Sequence, residues 1–414
     1  MMHHPTDSEP QDRPSAPDWL DVVIVGGCGH IGLPFGLVLA ESGLTVGLLD
    51  TDADRRALVS AGRMPFAEEG AQELLTRHIG GRVHVVSDLS IIRTCDTIVI
   101  TIGTPIDEYL NPKLLPILNL FRAMRPHMHA GHHVMLRSTV FPGTTHRLFE
   151  TARKAGFDLD ISFCPERVVQ GQAIHETGAF PQIVSGTTPR AVRCADAMFN
   201  RMGVKTIQVE PMEAELAKLF TNAFRYISFG VINQFYMIAE QNGLSYERIH
   251  HAMTHGYERL KNLPRPGFAA GPCLLKDTMQ LAAYSPSGFQ LGHGAMHANE
   301  GLPNFLVNQL IHRHGVDPEG RVVGILGMTF KADSDDIRDS LSFKLAKLLR
   351  FHGAEVLCSD EYLTDGDYVS MQRLVERADV IFIGVPHQAY RSLVIPEDKI
   401  LIDVWNSVRR VVAA

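Results

Sequence analysis

The sequence has no apolar run long enough to span a bilayer, and its start has no hydrophobic core of the secretory-signal kind. Residues 1–18, MMHHPTDSEPQDRPSAPD, are polar and proline-rich instead, which predicts a disordered tail. A basic excess is also missing. There are 39 Lys and Arg against 46 Asp and Glu, a formal net charge of −7. Nucleic-acid binders ordinarily carry the opposite balance, so none is expected as a partner. Any anion must be held by local donors and helix ends. Paired cysteines are absent too. The six cysteines (Cys28, Cys95, Cys164, Cys194, Cys273 and Cys358) are irregularly spaced with no C-x-x-C. That is the pattern of free thiols in a reducing cytoplasm, not of a disulfide scaffold. Twenty histidines include three adjacent pairs but no H-E-x-x-H and no other metal spacing, so no metal is expected.

What is present is a chain of 414 residues, 45% hydrophobic, long enough for two or three domains with substantial cores. Its first ordered stretch, Asp21 to Val25, leads from one acid into an apolar run, as in a strand buried on both faces. Gly27, Gly29 and Gly32 then form G-x-G-x-x-G. Helical apolar spacing follows from Leu33 to Ser42, then a strand from Thr45 to Leu49 closed by Asp50. Strand, glycine turn, helix, strand and acid in this order make a dinucleotide fingerprint. The glycines admit a pyrophosphate and the helix start faces its charge. Asp50 can accept from ribose hydroxyls and repels a 2′-phosphate, which favours NAD over NADP. The bland alternative is a glycine-rich turn with no ligand.

Further strands are predicted at Val83–Val86, Thr97–Thr101, Val134–Thr139, Asp160–Glu166, Gln182–Gly186 and Lys205–Val209, with a helix at Ala71–Ile79. Gly103-Thr104-Pro105 follows one strand end. Thr139 and Glu166 stand at two others, on the edge where a doubly wound sheet takes its ligands. A threonine there can equally be no more than a helix cap. The alternation over residues 19–209 predicts one α/β domain.

The pattern then changes. Met212 to Asn242 reads as one long buried helix without a break, with no proline and only Gly230 as a weak point, of the kind found at subunit interfaces. It carries Lys218 and Asn222 at i and i+4, on one face. A helical lysine is commonly a snorkelling surface residue; the amide one turn on makes an oxyanion site the sharper reading. Helices are also expected at Ser245–Thr254, Asp277–Ala283 and Leu302–His314. The loop from Tyr257 to Gly271 holds Arg259, Lys261 and Arg265, which suits an anionic substrate as well as it suits solvent. It leads to Gly271-Pro272-Cys273-Leu274-Leu275-Lys276-Asp277, with thiol, ammonium and carboxylate within five residues. A thiolate is a nucleophile toward an aldehyde, a cation lowers its pKa, and a carboxylate can hold a proton or a water. A lone cysteine in such company is more often inert. From Arg321 a second α/β unit follows: strands at Val322–Gly327, Glu355–Cys358, Val380–Gly384 and Ile400–Val404, and a helix at Ser342–Phe351. It echoes residues 21–50 but lacks the glycine fingerprint. In its place a charged segment, Phe330 to Ser340, offers Lys331 and Arg338 as phosphate holders, or only a solvated loop.

Taken together, six motifs in order resemble the UDP-glucose/GDP-mannose dehydrogenase family. They are Gly27-x-Gly29-x-x-Gly32, Ser138-Thr139-Val140, Cys164-Pro165-Glu166-Arg167, Lys218-x-x-x-Asn222, Gly271-Pro272-Cys273-Leu274-x-Lys276-Asp277, and Phe330-Lys331 with Asp336 to Ser340. The resemblance implies an α/β protein of three domains. These are an N-terminal Rossmann NAD-binding domain (19–209), a central helical dimerisation domain with a long helix (210–316), and a C-terminal Rossmann-like domain for the nucleotide sugar (317–414). It implies a homodimer oxidising a sugar C6 alcohol to a carboxylate with two NAD. Cys273 would be the nucleophile, Lys218 and Asn222 the oxyanion donors, Asp277 and Thr139 the holders of water or proton, and Glu166 the hydrolytic base. Cofactor contacts would come from Gly27, Gly29, His30, Ile31, Gly32, Asp50, Arg55, Thr104, Thr139, Lys276 and Arg338. Substrate contacts would come from Glu166, Arg167, Lys218, Asn222, Arg259, Gly271 and Lys331, with Arg259 reaching across the dimer.

The chain departs from the family pattern in having His30 for a usual Tyr, Leu275 for a common Pro and Ala223 for a common Thr; none removes a reacting group. Cys164 to Val168 and Asn222 to Arg225 resemble members acting on UDP-N-acetylhexosamines, whereas Cys273 to Thr278 resembles those acting on UDP-glucose or GDP-mannose. The balance favours a UDP-sugar, with the mannosamine type ahead. A single-hydride β-hydroxyacid dehydrogenase would share the Rossmann domain, long helix and Lys-x-x-x-Asn pair but needs no cysteine. A non-catalytic NAD-binding protein would not need these groups intact.

Overall fold

The computed structural model describes residues 19–364 and 366–410. The expected tail, residues 1–18, lies outside the described residues. The chain forms two compact units. One comprises the residues up to Thr104 with Leu115–Glu215; the other comprises Pro105–Leu114 and the residues from Leu216 on.

The first unit runs β1 (Leu20–Val25), α1 (Gly32–Glu41), β2 (Val46–Leu49), α2 (Ala53–Ser60), α3 (Ala71–His78), β3 (Val83–Val86), β4 (Cys95–Ile100), α4 (Leu115–Met124), β5 (His133–Leu136), α5 (Thr144–Lys154), β6 (Asp160–Phe163), α6 (Ala173–Glu176), β7 (Gln182–Gly186), α7 (Pro189–Arg201) and β8 (Thr206–Gln208). Its sheet has the order β3-β2-β1-β4-β5-β6-β7-β8. The first six strands follow the doubly wound order, which reverses between β1 and β4 and opens a crevice at their carboxyl ends. Parallel pairing with helices on both faces explains why β1, β2 and β5 are buried almost throughout. Ile24, Leu48, Val99 and Met135 from the strands pack with Leu33 and Leu37 of α1 and Phe199 of α7.

One pairing runs against the rest of the sheet, and one strand ends earlier than the sequence predicts. Pairing of β6 with β7 is antiparallel, at Ser162 with Gly186 and Phe163 with Ser185. β5 ends at Leu136, so Ser138 and Thr139 lie in the following loop. There the Ser138 hydroxyl donates to Thr101 O at 2.5 Å instead of continuing the ladder.

The second unit begins within α8 (Pro211–Gln241), the one unbroken helix the apolar pattern predicted. It continues with α9 (Tyr246–Thr254), α10 (Leu274–Tyr284), α11 (Gln290–His312), β9 (Val322–Leu326), α12 (Leu341–Phe351), β10 (Glu355–Ser359), α13 (Met371–Arg377), β11 (Val380–Ile383), β12 (Val394–Ile395), β13 (Ile400–Ile402) and β14 (Arg409–Arg410). Gly230 does not break α8; it lets α11 cross it. A Cβ there would stand 2.8 Å from Ala295 Cα. α11 starts at Gln290 and not at Leu302, with Pro303 inside it. Glycines and that proline masked a buried stripe through Ala295, Ala298, Leu302, Leu306 and Leu310, and burial of the stripe outweighs the lost hydrogen bond.

The C-terminal sheet is parallel, in the order β10-β9-β11-β13, beside a small β12–β14 pair. Its likeness to the N-terminal half reaches single bonds. Asp50, after β2, accepts from Cys28 N at 2.9 Å; Asp360, after β10, accepts from Met328 N at 2.7 Å and Thr329 N at 3.1 Å. Among the described residues, no helix is long and apolar enough to cross a membrane.

Candidate active site

In the first unit, the predicted cofactor residues gather at the carboxyl edge of the sheet. A Cβ on Gly27 would lie 2.7 Å from Leu48 Cα, and one on Gly32 would lie 2.8 Å from Gly27 Cα. The turn is thus pressed onto β2 and the first turn of α1 onto the turn, which keeps side chains out of a ligand's way. Ile31 stands at the N-cap of α1 and supplies no side-chain cap, so no side chain competes with an anion at that helix start. Asp50 holds Cys28 N and, at 3.0 Å, Asp52 N, which leaves acceptor capacity on both oxygens. Arg55 pairs with Asp52 at 3.3 Å, and its Nη1 is 4.0 Å from where a Gly29 Cβ would be. His30 lies tilted against Phe66 with centroids 4.1 Å apart and meets the Gln170 side chain at 3.2 Å. A backbone cradle that a Cβ would fill, an uncapped helix start and an acid closing β2 fit a dinucleotide. Gly27, Gly29, Gly32, Ile31 and Asp50 are the residues that would hold it.

Two loops meet beside this turn. Thr104, fully buried, donates from its N–H to Thr139 O at 3.2 Å. Glu166 follows β6 and is tightly held. Its Oε1 accepts from Arg167 N at 2.8 Å and Val168 N at 3.0 Å, and its Oε2 from Arg137 Nη2 at 2.5 Å. Arg137 is wholly buried, with its guanidinium 4.2 Å from the Phe35 ring centre and further bonds to Cys164 O and Gln182. Sequence reasoning passed over Arg137; the signal was a charge at the end of an apolar strand. The Arg167 guanidinium donates to Pro181 O and lies over Phe180.

In the second unit, α8, α10 and the loop after β9 bring a second set together. Cys273 is the residue before α10, in helical backbone conformation, so the predicted tight loop ends at the cysteine and the helix starts earlier than Asp277. The carboxylate of Asp277, itself fully buried, accepts from Asn222 Nδ2 at 2.6 Å and pairs with Lys276 Nζ at 2.5 Å. Gly271 has φ +97°, and a Cβ on it would lie 2.7 Å from Phe330 Cε2, so the cysteine loop sits directly on the Phe330-Lys331 segment. Arg338 pairs with Asp336, with Nε 3.0 Å from both carboxylate oxygens.

Cys273 is open to solvent, yet the protein around it strips much of its hydration. Exposure decides what can reach the thiol, and crowding decides its charge. Desolvation and then the Asp277 carboxylate push the thiol above its ordinary range; Lys276, Lys218 and Arg338 pull it back in part. Lys218 is half-buried one turn before Asn222, and Arg259 is exposed on a short 3-10 turn, Glu258–Leu260. Sequence reasoning also missed Asn233, buried mid-α8, which exchanges two 2.9 Å bonds with the backbone of Gly267 and so ties down the segment leading to Cys273.

A dinucleotide cradle in one unit, and in the other a thiol beside an amide, an ammonium and a carboxylate, are the equipment of an NAD-dependent dehydrogenase that also uses a nucleophile. Comparison with protein families gives the class. Residues 21–202 match the NAD binding domain, 212–300 the central domain and 324–410 the UDP binding domain of the UDP-glucose/GDP-mannose dehydrogenase family, and the chain belongs to that family. It is an NAD-dependent nucleotide-sugar dehydrogenase. It is 29% identical, over 90% of each chain, to the UDP-N-acetyl-D-mannosamine dehydrogenase of Pyrococcus horikoshii. The solved structure of UDP-D-ManNAc dehydrogenase from Pyrococcus horikoshii superposes with a TM-score of 0.86 at 25% identity, covering 94% of this chain and 96% of that one. A UDP-glucose dehydrogenase structure from Pyrobaculum islandicum has the same fold, with a TM-score of 0.85 at 24% identity over 97% and 96% of the two chains.

Proposed function

We propose that the chain oxidises the C6 alcohol of a UDP-sugar, with a UDP-N-acetylhexosamine of the mannosamine type ahead of UDP-glucose or GDP-mannose, to the uronate through a thioester on Cys273. The observation that carries this reading is the cluster around Cys273. A single-hydride dehydrogenase has no use for a solvent-open thiol flanked by Lys218, Asn222, Lys276 and Asp277. NAD, when bound, accepts the two hydrides.

The residues act in sequence. A base takes the C6 hydroxyl proton as the first hydride leaves, giving the aldehyde. The Cys273 thiolate adds to the carbonyl carbon, and the resulting oxyanion falls to the Asn222 amide and the Lys218 ammonium. Donors fixed before reaction stabilise such charge without reorganising. Loss of the second hydride from C6 leaves the thioester. Water then attacks, the carbon–sulfur bond breaks, and Cys273 departs as thiolate. In sum, one alcohol, one water and two NAD give one carboxylate, two NADH and three protons. Glu166, oriented by Arg137 and two backbone amides, is the proposed base for the water, with Thr139 and Asp277 positioning it. The cofactor is assigned to His30, Arg55, Thr104, Lys276 and Arg338 beyond the glycine turn. The substrate is assigned to Arg167, Gly271 and Lys331, with Arg259 serving the partner protomer of a cytoplasmic homodimer. Exposed Phe220, Phe224, Val231, Phe235 and Ile238 on α8 support that dimer, since they make an apolar stripe of helical spacing.

The mannosamine preference rests on the Cys164 to Val168 and Asn222 to Arg225 segments and on the Pyrococcus horikoshii relative. It is tested by kcat/KM for NADH formation with UDP-N-acetylmannosamine, UDP-N-acetylglucosamine, UDP-glucose and GDP-mannose. The first should lead. A lead for UDP-glucose or GDP-mannose would reassign the sugar, and no turnover with any of them would point to another nucleotide sugar or to a binding role.

A further inference from the structure

His387, just beyond β11, is wholly buried and has no part in the scheme above. Its surroundings are unusually determinate. Nδ1 accepts from Asp333 N at 2.9 Å, so Nδ1 carries no proton. The proton is therefore on Nε2, which faces Asp360 Oδ2 at 3.1 Å and Thr329 Oγ1 at 3.3 Å. Asp360 is an acceptor here. Burial raises its pKa, but the His387 bond and backbone donors outweigh this and hold it below the usual carboxylate range. Thr329 Oγ1 donates onward to Lys331 O at 3.0 Å, and Ser340 Oγ holds Thr329 O at 3.0 Å.

The far end of the same short loop is pinned as well. Asp333 sits at φ +55°, left-handed for a non-glycine residue, and its Oδ1 accepts from Gln388 N and Tyr362 Oη, both at 2.9 Å. The segment from Thr329 to Asp333 is thus bent around the imidazole and bonded to it at both ends, with Lys331 between. The titratable groups facing the ring are Asp333 from the loop, Asp360 and Tyr362 after β10, and Tyr390 beyond β11. The two tyrosine rings stand 4.8 and 5.2 Å from the imidazole.

We propose that His387, as the neutral Nε2–H tautomer, is a positioning residue that fixes the Thr329–Asp333 loop and thereby presents Lys331 to the diphosphate of the nucleotide sugar. This rests on the assignment of Lys331 to substrate made above. Loss of the Nδ1 acceptor frees the Asp333 N–H and releases one end of the loop. Affinity for the sugar nucleotide then falls, while affinity for NAD does not.

The test compares wild type, His387→Phe (ring volume kept, both bonds lost), His387→Asn (an acceptor near Nδ1 kept) and Lys331→Ala, by KM for each substrate and kcat. His387→Phe should raise the sugar KM about tenfold, the worth of one such bond, with NAD KM unchanged. His387→Asn, which keeps an acceptor for the Asp333 N–H, should recover most of that, with kcat and NAD KM again unchanged. If Lys331→Ala raises the sugar KM but His387→Phe does not, the proposal for His387 is overturned. If Lys331→Ala leaves it unchanged, the underlying assignment of Lys331 is what fails. Should His387→Phe not fold, His387→Leu, which also lacks an acceptor, is compared with His387→Asn: an equal sugar KM in the two overturns the proposal.

Discussion

Asn222 on α8 donates its amide proton to Asp277 on α10 across 2.6 Å, and both side chains are buried. The bond joins two helices and sets the amide group beside the cysteine that opens α10. Asn222 thus has a structural partner in the resting protein and, in the proposed scheme, a developing oxyanion in the transition state. Asn222→Ala should lower kcat about 10²- to 10³-fold, the usual cost of one oxyanion donor, with little change in KM. A variant that changed only KM would move Asn222 from catalysis to binding.

The charge around Cys273 gives a pH prediction with a definite sign. Desolvation and Asp277 raise the thiol pKa, and Lys276, Lys218 and Arg338 lower it. Alkylation by iodoacetamide, which needs the thiolate, should therefore rise with pH through a midpoint above that of an ordinary cysteine. Asp277→Asn removes a negative charge and should shift the midpoint down; Lys218→Met removes a positive charge and should shift it up. Shifts in the opposite directions would contradict the arrangement.

Gly271 and Phe330 are a packing pair as well as two motif residues. Gly271→Ala meets both a left-handed backbone and a ring 2.7 Å away. The substitution should destabilise the protein by about 2–4 kcal/mol in urea unfolding, combining backbone strain with overpacking. Phe330→Ala in the same chain should restore the overpacking share, giving a favourable coupling of about 1–2 kcal/mol in the double-mutant cycle. Strict additivity would mean that the loop moves away from the ring instead.

Arg137 and Glu166 form a buried ion pair in the first unit. Arg137→Leu leaves the Glu166 carboxylate without its main partner and should cost about 3–5 kcal/mol of stability. Glu166→Gln keeps a hydrogen-bonding group against Arg137 and should cost less. If Glu166 is the hydrolytic base, however, Glu166→Gln should let the acyl form of Cys273 accumulate, detectable by intact mass. Activity preserved in Glu166→Gln would remove it from the chemistry.

The parts legible in the sequence are those set by local pattern. The glycine turn with Asp50, the run of strands around it, the long apolar α8 with Lys218 and Asn222 one turn apart, and the Cys273 motif all rest on short spacings. Other features depended on distant partners. Asp277 meets Asn222 across 55 residues, Arg137 meets Glu166 across 29, and His387 meets Asp333 across 54. No periodicity announces such pairs, and a lone buried charge or histidine reads as an anomaly until its partner is placed. The start of α11 was hidden for the opposite reason, because Pro303 and nearby glycines argue locally against a helix that tertiary burial imposes.

In the proposed reaction, one sugar surrenders two hydrides before it leaves Cys273. The most direct measurement is the amount of NADH formed per UDP-sugar consumed, with sugar limiting and NAD in excess, in wild type and Cys273→Ser. Wild type should form two NADH per sugar, and Cys273→Ser should lose steady turnover. One NADH per sugar, or turnover that does not depend on Cys273, would contradict the proposed reaction.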